Sequence, residues 1–395
     1  MKKICVITGG RPDYGLLREA MIRILDSSEL RLQLIATGMH LSPEFGNTKD
    51  QILDDGFTID WEIESIVSSD TPSAVIKSIG LGMIGFSDAI RTLKPDCVLV
   101  LGDRYEIFSG VVASMVAGVP VGHIHGGEIT EGSIDENMRH AITKMAHLHF
   151  VAAEEYRNRV IQLGEQPERV YTVGALGIDG ITRLQLLDWQ SLMAQLGLEN
   201  CKKNVLVTFH PVTIEHGVSE KHLEQVLGAL SELKNTQIIF SLPNSDAEGR
   251  ALQRKMKEFA DSRENVKVFA SLGQLRYLSC LRHVDCVIGN SSSGLIEAPT
   301  LKTATINVGD RQLGRLKADS VLDCAPKKHE ILAAIGSVYT PKMRQILLDV
   351  TNPYGEGCAS SAIVEILESE PLDGFLRKPF FDMPYIHSDF GMETK

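Results

Sequence analysis

Asp96-Cys97-Val98-Leu99-Val100-Leu101 is followed at once by Gly102-Asp103-Arg104-Tyr105-Glu106. The first six residues are almost continuously apolar, as expected of a strand in a parallel sheet covered on both faces. Glycine and charged residues then break the run, and a helical pattern starts at Tyr105. Strand, polar turn and helix in that order predict a βα unit, and the same unit recurs on both sides. Strands are expected at Lys3–Thr8, Arg31–Thr37, Phe57–Ile63, Val119–Ile124, Leu148–Ala152 and Val170–Val173. Helices are expected at Tyr14–Leu25, Ala74–Leu93, Tyr105–Ala117 and Asp135–Ala146. After a glycine- and polar-rich break at about 174–203 the alternation restarts. Strands are expected at Asn204–Phe209, Gln237–Leu242, Val266–Ala270, Asp285–Ile288 and Thr303–Val308. The pattern predicts an α/β protein of two doubly wound, Rossmann-like domains facing a central cleft. The boundaries are drawn at 1–185 and 186–365, with 366–395 as a tail that packs as an arm or stays partly disordered.

The chain has 395 residues, 43% of them hydrophobic and 23% charged, with a net charge of −11. This charge argues against a nucleic-acid partner, which needs a basic face. It leaves room for an anionic small ligand, since a few arginines hold a phosphate inside an acidic protein. No apolar run is read as long enough to span a bilayer, and the start has too short an apolar core for a signal peptide. Seven cysteines without a CxxC pair, four of them among apolar neighbours (Cys5, Cys97, Cys280, Cys286), suggest core residues in a reduced, cytoplasmic compartment.

In doubly wound sheets ligands sit at the carboxyl ends of strands, so the residues that follow strands carry the chemistry. Gly289-Asn290-Ser291-Ser292-Ser293-Gly294-Leu295-Ile296-Glu297 puts three hydroxyls where an apolar helix begins. A helix start offers unpartnered N–H groups and a positive dipole end to an anion; equally, Ser291 or Ser292 could simply cap the helix. Thr8-Gly9-Gly10-Arg11-Pro12-Asp13-Tyr14-Gly15 lacks the GxGxxG spacing, but aims Arg11 from a glycine turn toward the strand ends. Asp103 is either the cap of the next helix or a catalytic carboxylate. His123-Ile124-His125-Gly126-Gly127-Glu128 and Asp135-Glu136-Asn137-Met138-Arg139-His140 combine glycines with ionisable groups after a strand. Zinc is the rival reading there, through His123/His125 and His147/His149. Without HExxH or a Cys/His cluster it is set aside, and His147 and His149 are read as polar-face strand residues. His210, after the first strand of the second half, faces the cleft from the opposite wall. No GxSxG elbow points to a serine hydrolase.

Taken together, these motifs resemble those of the hydrolysing UDP-N-acetylglucosamine 2-epimerases of sialic-acid synthesis, especially the bacterial capsule type. The resemblance runs from Gly9 to about Ile366. It is carried by G-R-P-D-Y-G from Gly10, T-G-M-H from Thr37, G-D-R-Y-E-I-F from Gly102, H-I-H-G-G-E from His123 and D-E-N-M-R-H from Asp135. F-H-P-V-T from Phe209, the Gly289–Glu297 stretch and G-D-R-Q-L-G-R from Gly309 complete it. It implies the two-domain GT-B fold, with a helix at Ser360–Glu368 crossing back to the first domain. It also implies Asp103, Asp135 and His210 as catalytic groups, and Ser291 and Ser292 on the diphosphate with Glu297 on the ribose. Arg11, Arg104, Asn244 and Arg311 would complete the nucleotide-sugar pocket. Many relatives carry glutamate where His125 stands, so that proton-transfer duty falls to His125, Glu128 or Glu136.

The reaction implied is UDP-GlcNAc and water to ManNAc and UDP, by elimination of UDP to a 2-acetamidoglucal and hydration. It calls for no nicotinamide and no metal, and His210 is the expected proton donor or UDP-oxygen partner. Three alternatives stay open: the same reaction on UDP-N,N′-diacetylbacillosamine, a GT-B glycosyltransferase, and a non-catalytic nucleotide-sugar sensor. A homodimer or homotetramer formed through the first domain is expected, with Ala74–Leu93 as one possible face.

Overall fold

The computed structural model describes residues 1–69, 71–130, 134–211, 218–243, 247–372 and 374–383. Seven strands form the first sheet: β1 (Lys2–Thr8), β2 (Leu30–Thr37), β3 (Trp61–Ile63), β4 (Cys97–Leu101), β5 (Val121–Ile124), β6 (Leu148–Val151) and β7 (Val170–Thr172). Six form the second: β8 (Lys203–Thr208), β9 (Thr236–Ser241), β10 (Val266–Phe269), β11 (Cys286–Gly289), β12 (Ala304–Val308) and β13 (Val321–Cys324). The sheet orders are β3-β2-β1-β4-β5-β6-β7 and β10-β9-β8-β11-β12-β13. Every recorded pairing is parallel; Ile4 lies opposite Cys97, and Cys286 is flanked by Val205 and Ala304. β4 is buried along its whole length, as its unbroken apolar run requires.

Each sheet reverses its strand order once, between β1 and β4 and between β8 and β11. At such a switch point the helices leave on opposite faces and open a crevice beyond the strand ends. The second crevice depends on Gly289. Its φ is +147°, and a Cβ there would stand 1.9 Å from the carbonyl oxygen of Thr208. Only glycine lets β11 end that close to β8.

Several expected elements differ. The break at 174–203 contains two helices, Leu176–Arg183 and Trp189–Leu196, the second capped by Asp188 accepting from Ser191 N–H. β3 has three residues where seven were expected, and β13 was not anticipated; its residues are partly exposed at the sheet edge and lack a clean alternation. His147 and His149 are buried rather than on a polar face: Val121 N–H donates to His147 Nδ1, and His149 Nε2 pairs with Glu165. The membrane reading also needs correction. The helix Pro72–Leu93 has the length and composition to cross a bilayer, with a window of mean hydropathy 1.3. Glycines and serines among its apolar residues hid this from a search for unbroken runs. In the fold it packs against the helix Tyr105–Val116, yet Ile76 and Ile84 remain 68% and 69% exposed and Val116 78%.

The helix Ala359–Ser369 leaves the second lobe and enters the core of the first, where Ile363, Val364 and Leu367 join Leu17, Met21 and Ile24. The 365/366 boundary therefore falls inside this helix. Asp179 holds its start, accepting the N–H groups of Ala359 (2.9 Å) and Ser360 (2.7 Å). Lys2 Nζ holds its end, donating to the carbonyls of Leu367, Glu368 and Glu370 at 2.7–3.0 Å. Residues 374–383 continue as an arm on the first lobe: Phe375 is buried, and Lys378 Nζ donates to Glu165 and the carbonyls of Lys144 and Ala146.

Candidate active site

β4 ends at Leu101, and Asp103 and Arg104 turn out of the sheet before the helix Tyr105–Val116. Asp103 is not that helix's cap; Arg104 occupies the position, without a side-chain cap bond. The Asp103 carboxylate instead accepts from Arg139 Nη2, on the helix Ile134–Met145. Burial pushes the Asp103 carboxyl up; Arg139 pulls it down, while Asp135 and Glu128 push it further up. Asp135 thus acts on Asp103 from the first turn of the same helix that carries Arg139. Glu136 is turned to local bonding, with Thr130 N–H on one oxygen and His140 Nε2 at 3.0 Å on the other.

Arg104 runs back to Glu106 and also faces Asp13. Asp13 sits in the first turn of the helix Arg11–Asp26, is buried, and has its carboxyl pushed up to about 7, chiefly by burial. Arg11 opens the same helix at the end of β1 and is exposed.

β5 delivers two histidines. His123 is structural: its Nε2 bonds the carbonyl of Gly102 (2.8 Å), its Nδ1 pairs with Thr143 (3.1 Å), and burial pushes it down to about 3. His125 takes a left-handed backbone, φ +64°. Its Nδ1 lies 3.3 Å from Glu128 Oε1, and its Nε2 accepts from Leu176 N–H at 3.3 Å.

The second lobe presents different chemistry. β8 ends just before His210, whose backbone is held at both ends by Asn290: His210 N–H donates to Asn290 Oδ1 (2.7 Å) and Asn290 Nδ2 donates to His210 O (2.8 Å). Burial, then Arg311, push the His210 ring down to about 4. At neutral pH the ring is uncharged, so it offers an N–H to an anion but no imidazolium proton. Arg311 Nη1 donates to Asn290 O at 3.0 Å, and Gln312 Nε2 to the same oxygen at 2.8 Å. Burial and neighbouring Arg315 push Arg311 down to about 10.

Ser291 and Ser292 follow β11, but the helix behind them is only Ser293–Ile296. One turn adds little macrodipole, so an anion here must be held by the hydroxyls, the local N–H groups and Arg311 rather than by a long helix. Ser292 makes no side-chain cap bond; Ser291 Oγ takes Ser293 N–H at a long 3.4 Å. Glu297, at the end of that turn, accepts from the Ser293 hydroxyl, which itself receives Tyr277 O–H at 2.8 Å. Burial pushes Glu297 up. It faces the other lobe: a Cβ on Gly177, in the helix Leu176–Arg183, would lie 3.2 Å from its Oε1.

The two sides meet. Arg315, between β12 and β13, lies 3.5 Å from Glu128, donates to Ile129 O at 3.4 Å, and stands within electrostatic reach of both Asp103 and Arg311. Beside it, Tyr354 O–H donates to Leu316 O (3.0 Å) and Leu316 N–H donates to Tyr156 Oη (3.3 Å). The structure thus places Arg11, Asp103 and Arg104 at the first switch point and His210, Ser291, Ser292 and Glu297 at the second, with Asp135 on the helix after β5 and Arg311 after β12. Asn244 lies outside the described residues. Asp13, Arg139 and Arg315 were given no role from sequence, and Glu128 only as one candidate for the proton-transfer duty. All four stand inside quoted motifs, but nothing in their spacing reveals which charge each one meets.

Comparison with known proteins agrees with this fold. Residues 23–368 match the family model described as UDP-N-acetylglucosamine 2-epimerase. The chain is 37% identical to the GDP/UDP-N,N′-diacetylbacillosamine 2-epimerase (hydrolyzing) of Campylobacter jejuni, over 97% of this chain and 99% of that one. It is also 37% identical to the polysialic acid biosynthesis protein P7 of Escherichia coli, over 97% and 98%. The crystal structure of UDP-GlcNAc 2-epimerase from Neisseria meningitidis bound to UDP-GlcNAc shares the fold at TM-score 0.79 and 18% identity, covering 94% of this chain and all of that one. With two doubly wound lobes in the GT-B manner and a family match across most of its length, the chain belongs to the UDP-N-acetylglucosamine 2-epimerase family of enzymes.

Proposed function

We propose that this protein releases UDP from a UDP-linked 2-acetamido sugar, with water as co-substrate and inversion at C2. The observation that carries the reading is the pairing of opposite chemistries at two facing switch points. Carboxylates with a bound arginine end β4, and hydroxyls, a neutral histidine and an arginine end β8, β11 and β12. Elimination needs both. Fixed donors at Ser291, Ser292, His210 and Arg311 stabilise the charge that develops on the departing diphosphate. As the C1–O bond breaks, C1 gains positive character and the C2 proton becomes removable. Asp103 or Asp135 takes that proton, leaving the 2-acetamidoglucal. Water then adds its oxygen to C1, and a proton is returned to C2 on the opposite face. Burial raises the affinity of Asp103 for a proton and so strengthens it as a base.

The sugar is UDP-GlcNAc or its diacetylbacillosamine counterpart. Relatives named for diacetylbacillosamine and for polysialic acid stand at the same 37% identity, so overall similarity favours neither. Proton NMR in D₂O with each sugar nucleotide alone decides. The reading expects UDP, a free manno-configured sugar and deuterium at C2. UDP-sugar that stays intact without an acceptor would instead indicate a glycosyltransferase or a sensor. We also propose a homo-oligomer through the first lobe, where Ile76, Ile84 and Val116 form an exposed apolar face. Light scattering tests it, with Ile84→Asp expected to yield monomer.

A further inference from the structure

Glu128 is a first-lobe carboxylate held by the second lobe. It ends a tight turn after β5, built on His125 at φ +64° and Gly127 at φ +77°. A Cβ on Gly127 would stand 2.5 Å from Tyr156 O, so the turn is fixed. It sends two side chains inward. Because His125 Nε2 accepts from Leu176 N–H, the ring is neutral and carries its proton on Nδ1, toward Glu128. The other Glu128 oxygen faces Arg315 Nη2 at 3.5 Å, across the seam between the lobes. The charged and titratable groups around Glu128 are His125, Arg139 and Tyr156 from the first lobe, Tyr354 from the segment returning to it, and Arg315. Asp103 lies within their field.

The first lobe thus brings Asp103, Asp135 and Glu128 together around Arg139. Arg315 supplies a second cation from the opposite lobe. Resting on the epimerase reading above, we propose that Arg315 is a positioning residue: it holds Glu128 ionised against His125, so the carboxylate cluster owes its working charge to a cation from the second lobe. The second lobe and the proton transfer of the first are thereby coupled through an arginine assigned to neither step.

The test uses Arg315→Gln and Arg315→Lys in the full chain. UDP affinity is measured by calorimetry, and kcat and KM for UDP release are followed from pH 5 to 9. With Gln, kcat should fall roughly 10²-fold while UDP affinity stays within about threefold. Glu128, its cation gone, should need a higher pH to ionise, moving the acid limb of the kcat profile up by about one pH unit. Lys keeps the charge and should restore the profile. UDP affinity falling in step with kcat, with the profile unmoved, would make Arg315 a plain nucleotide ligand and overturn the proposal; so would unchanged kcat. If the Gln variant does not fold, the Lys variant decides: a displaced acid limb overturns the proposal and a wild-type limb supports it. If the wild type turns over neither sugar nucleotide, the epimerase reading has failed, and ¹³C NMR titration of Glu128 then tests the inference alone. A midpoint raised by Arg315→Gln supports it, and an identical midpoint overturns it.

Discussion

At the switch point of the first sheet, β1 and β4 lead into Arg11 and into Asp103–Arg104; at that of the second, β8 and β11 lead into His210 and into Asn290–Ser292. The backbone plan is the same and the charge is reversed. The first lobe gathers carboxylates, the buried Asp13 and Glu128 and the half-buried Asp103, and compensates them with Arg104, Arg139 and, from across the seam, Arg315. The second gathers hydroxyls, amides and Arg311 around a neutral imidazole. A parallel sheet fixes where a site opens, and the residues after each strand fix which half of a reaction that opening can perform.

If the lobes divide the labour, variants should separate binding from turnover. The largest effect is expected at Gly289. Gly289→Ala drives a Cβ into Thr208 O and demands a strained φ, so the second lobe should lose its fold. Calorimetric UDP binding should vanish while hydrogen exchange of the first-lobe strands persists; retained binding would show that β11 can move away. Next comes Asp103→Asn. Turnover should drop about 10²- to 10⁴-fold with UDP affinity unchanged, and a parallel loss of affinity would break the comparison. The double change Ser291→Ala with Ser292→Ala should do the reverse. Lost hydrogen bonds to a charged diphosphate weaken UDP at least about tenfold, and saturating substrate should recover much of the rate. Unaltered UDP affinity would assign the serines to the turn alone.

The smallest effect concerns acid. Burial pushes His40 down to about 4, His123 to about 3 and His147 to about 4 in the first lobe, against His210, at about 4, among the described residues of the second. Below the ordinary histidine value near 6.5, the unfolded chain takes up protons that these folded rings refuse. Their stabilisation is present above about 6.5 and is lost as pH falls toward the folded values, by roughly 2 kcal/mol each at pH 5. Asp13, raised to about 7, acts oppositely and offsets about one of them. Hydrogen exchange at pH 7 and pH 5 should therefore show the first lobe weakening more than the second. Equal weakening would mean the lobes open together.

Much of this was legible because strand ends are legible. The apolar run Asp96–Leu101 and the glycine closing Cys286–Gly289 locate two of the crevice walls, and Asp103, His210 and Ser291 follow from position alone. Pairings across the fold were not. Asp103 meets Arg139 thirty-six residues away, and Arg315 meets Glu128 from the other lobe; no local periodicity encodes either. Nor does a motif report burial, which pushes the His210 ring down to about 4. The helix after Ser292 was overestimated because Leu295, Ile296 and Ala298 resemble the start of a longer apolar face. After Ile296 the chain turns through Pro299 toward β12 instead.

One consequence concerns the order in which the molecule is made. Lys2 is made before the second lobe, and its ammonium grips carbonyls at Leu367, Glu368 and Glu370, which are made after it. Between them lies the whole second lobe, which can mature as a unit once its own strands have appeared. The half synthesised first is therefore finished last: during translation its helix Arg11–Asp26 shows a bare apolar flank, awaiting the late segment Ala359–Ser369 that will cover it.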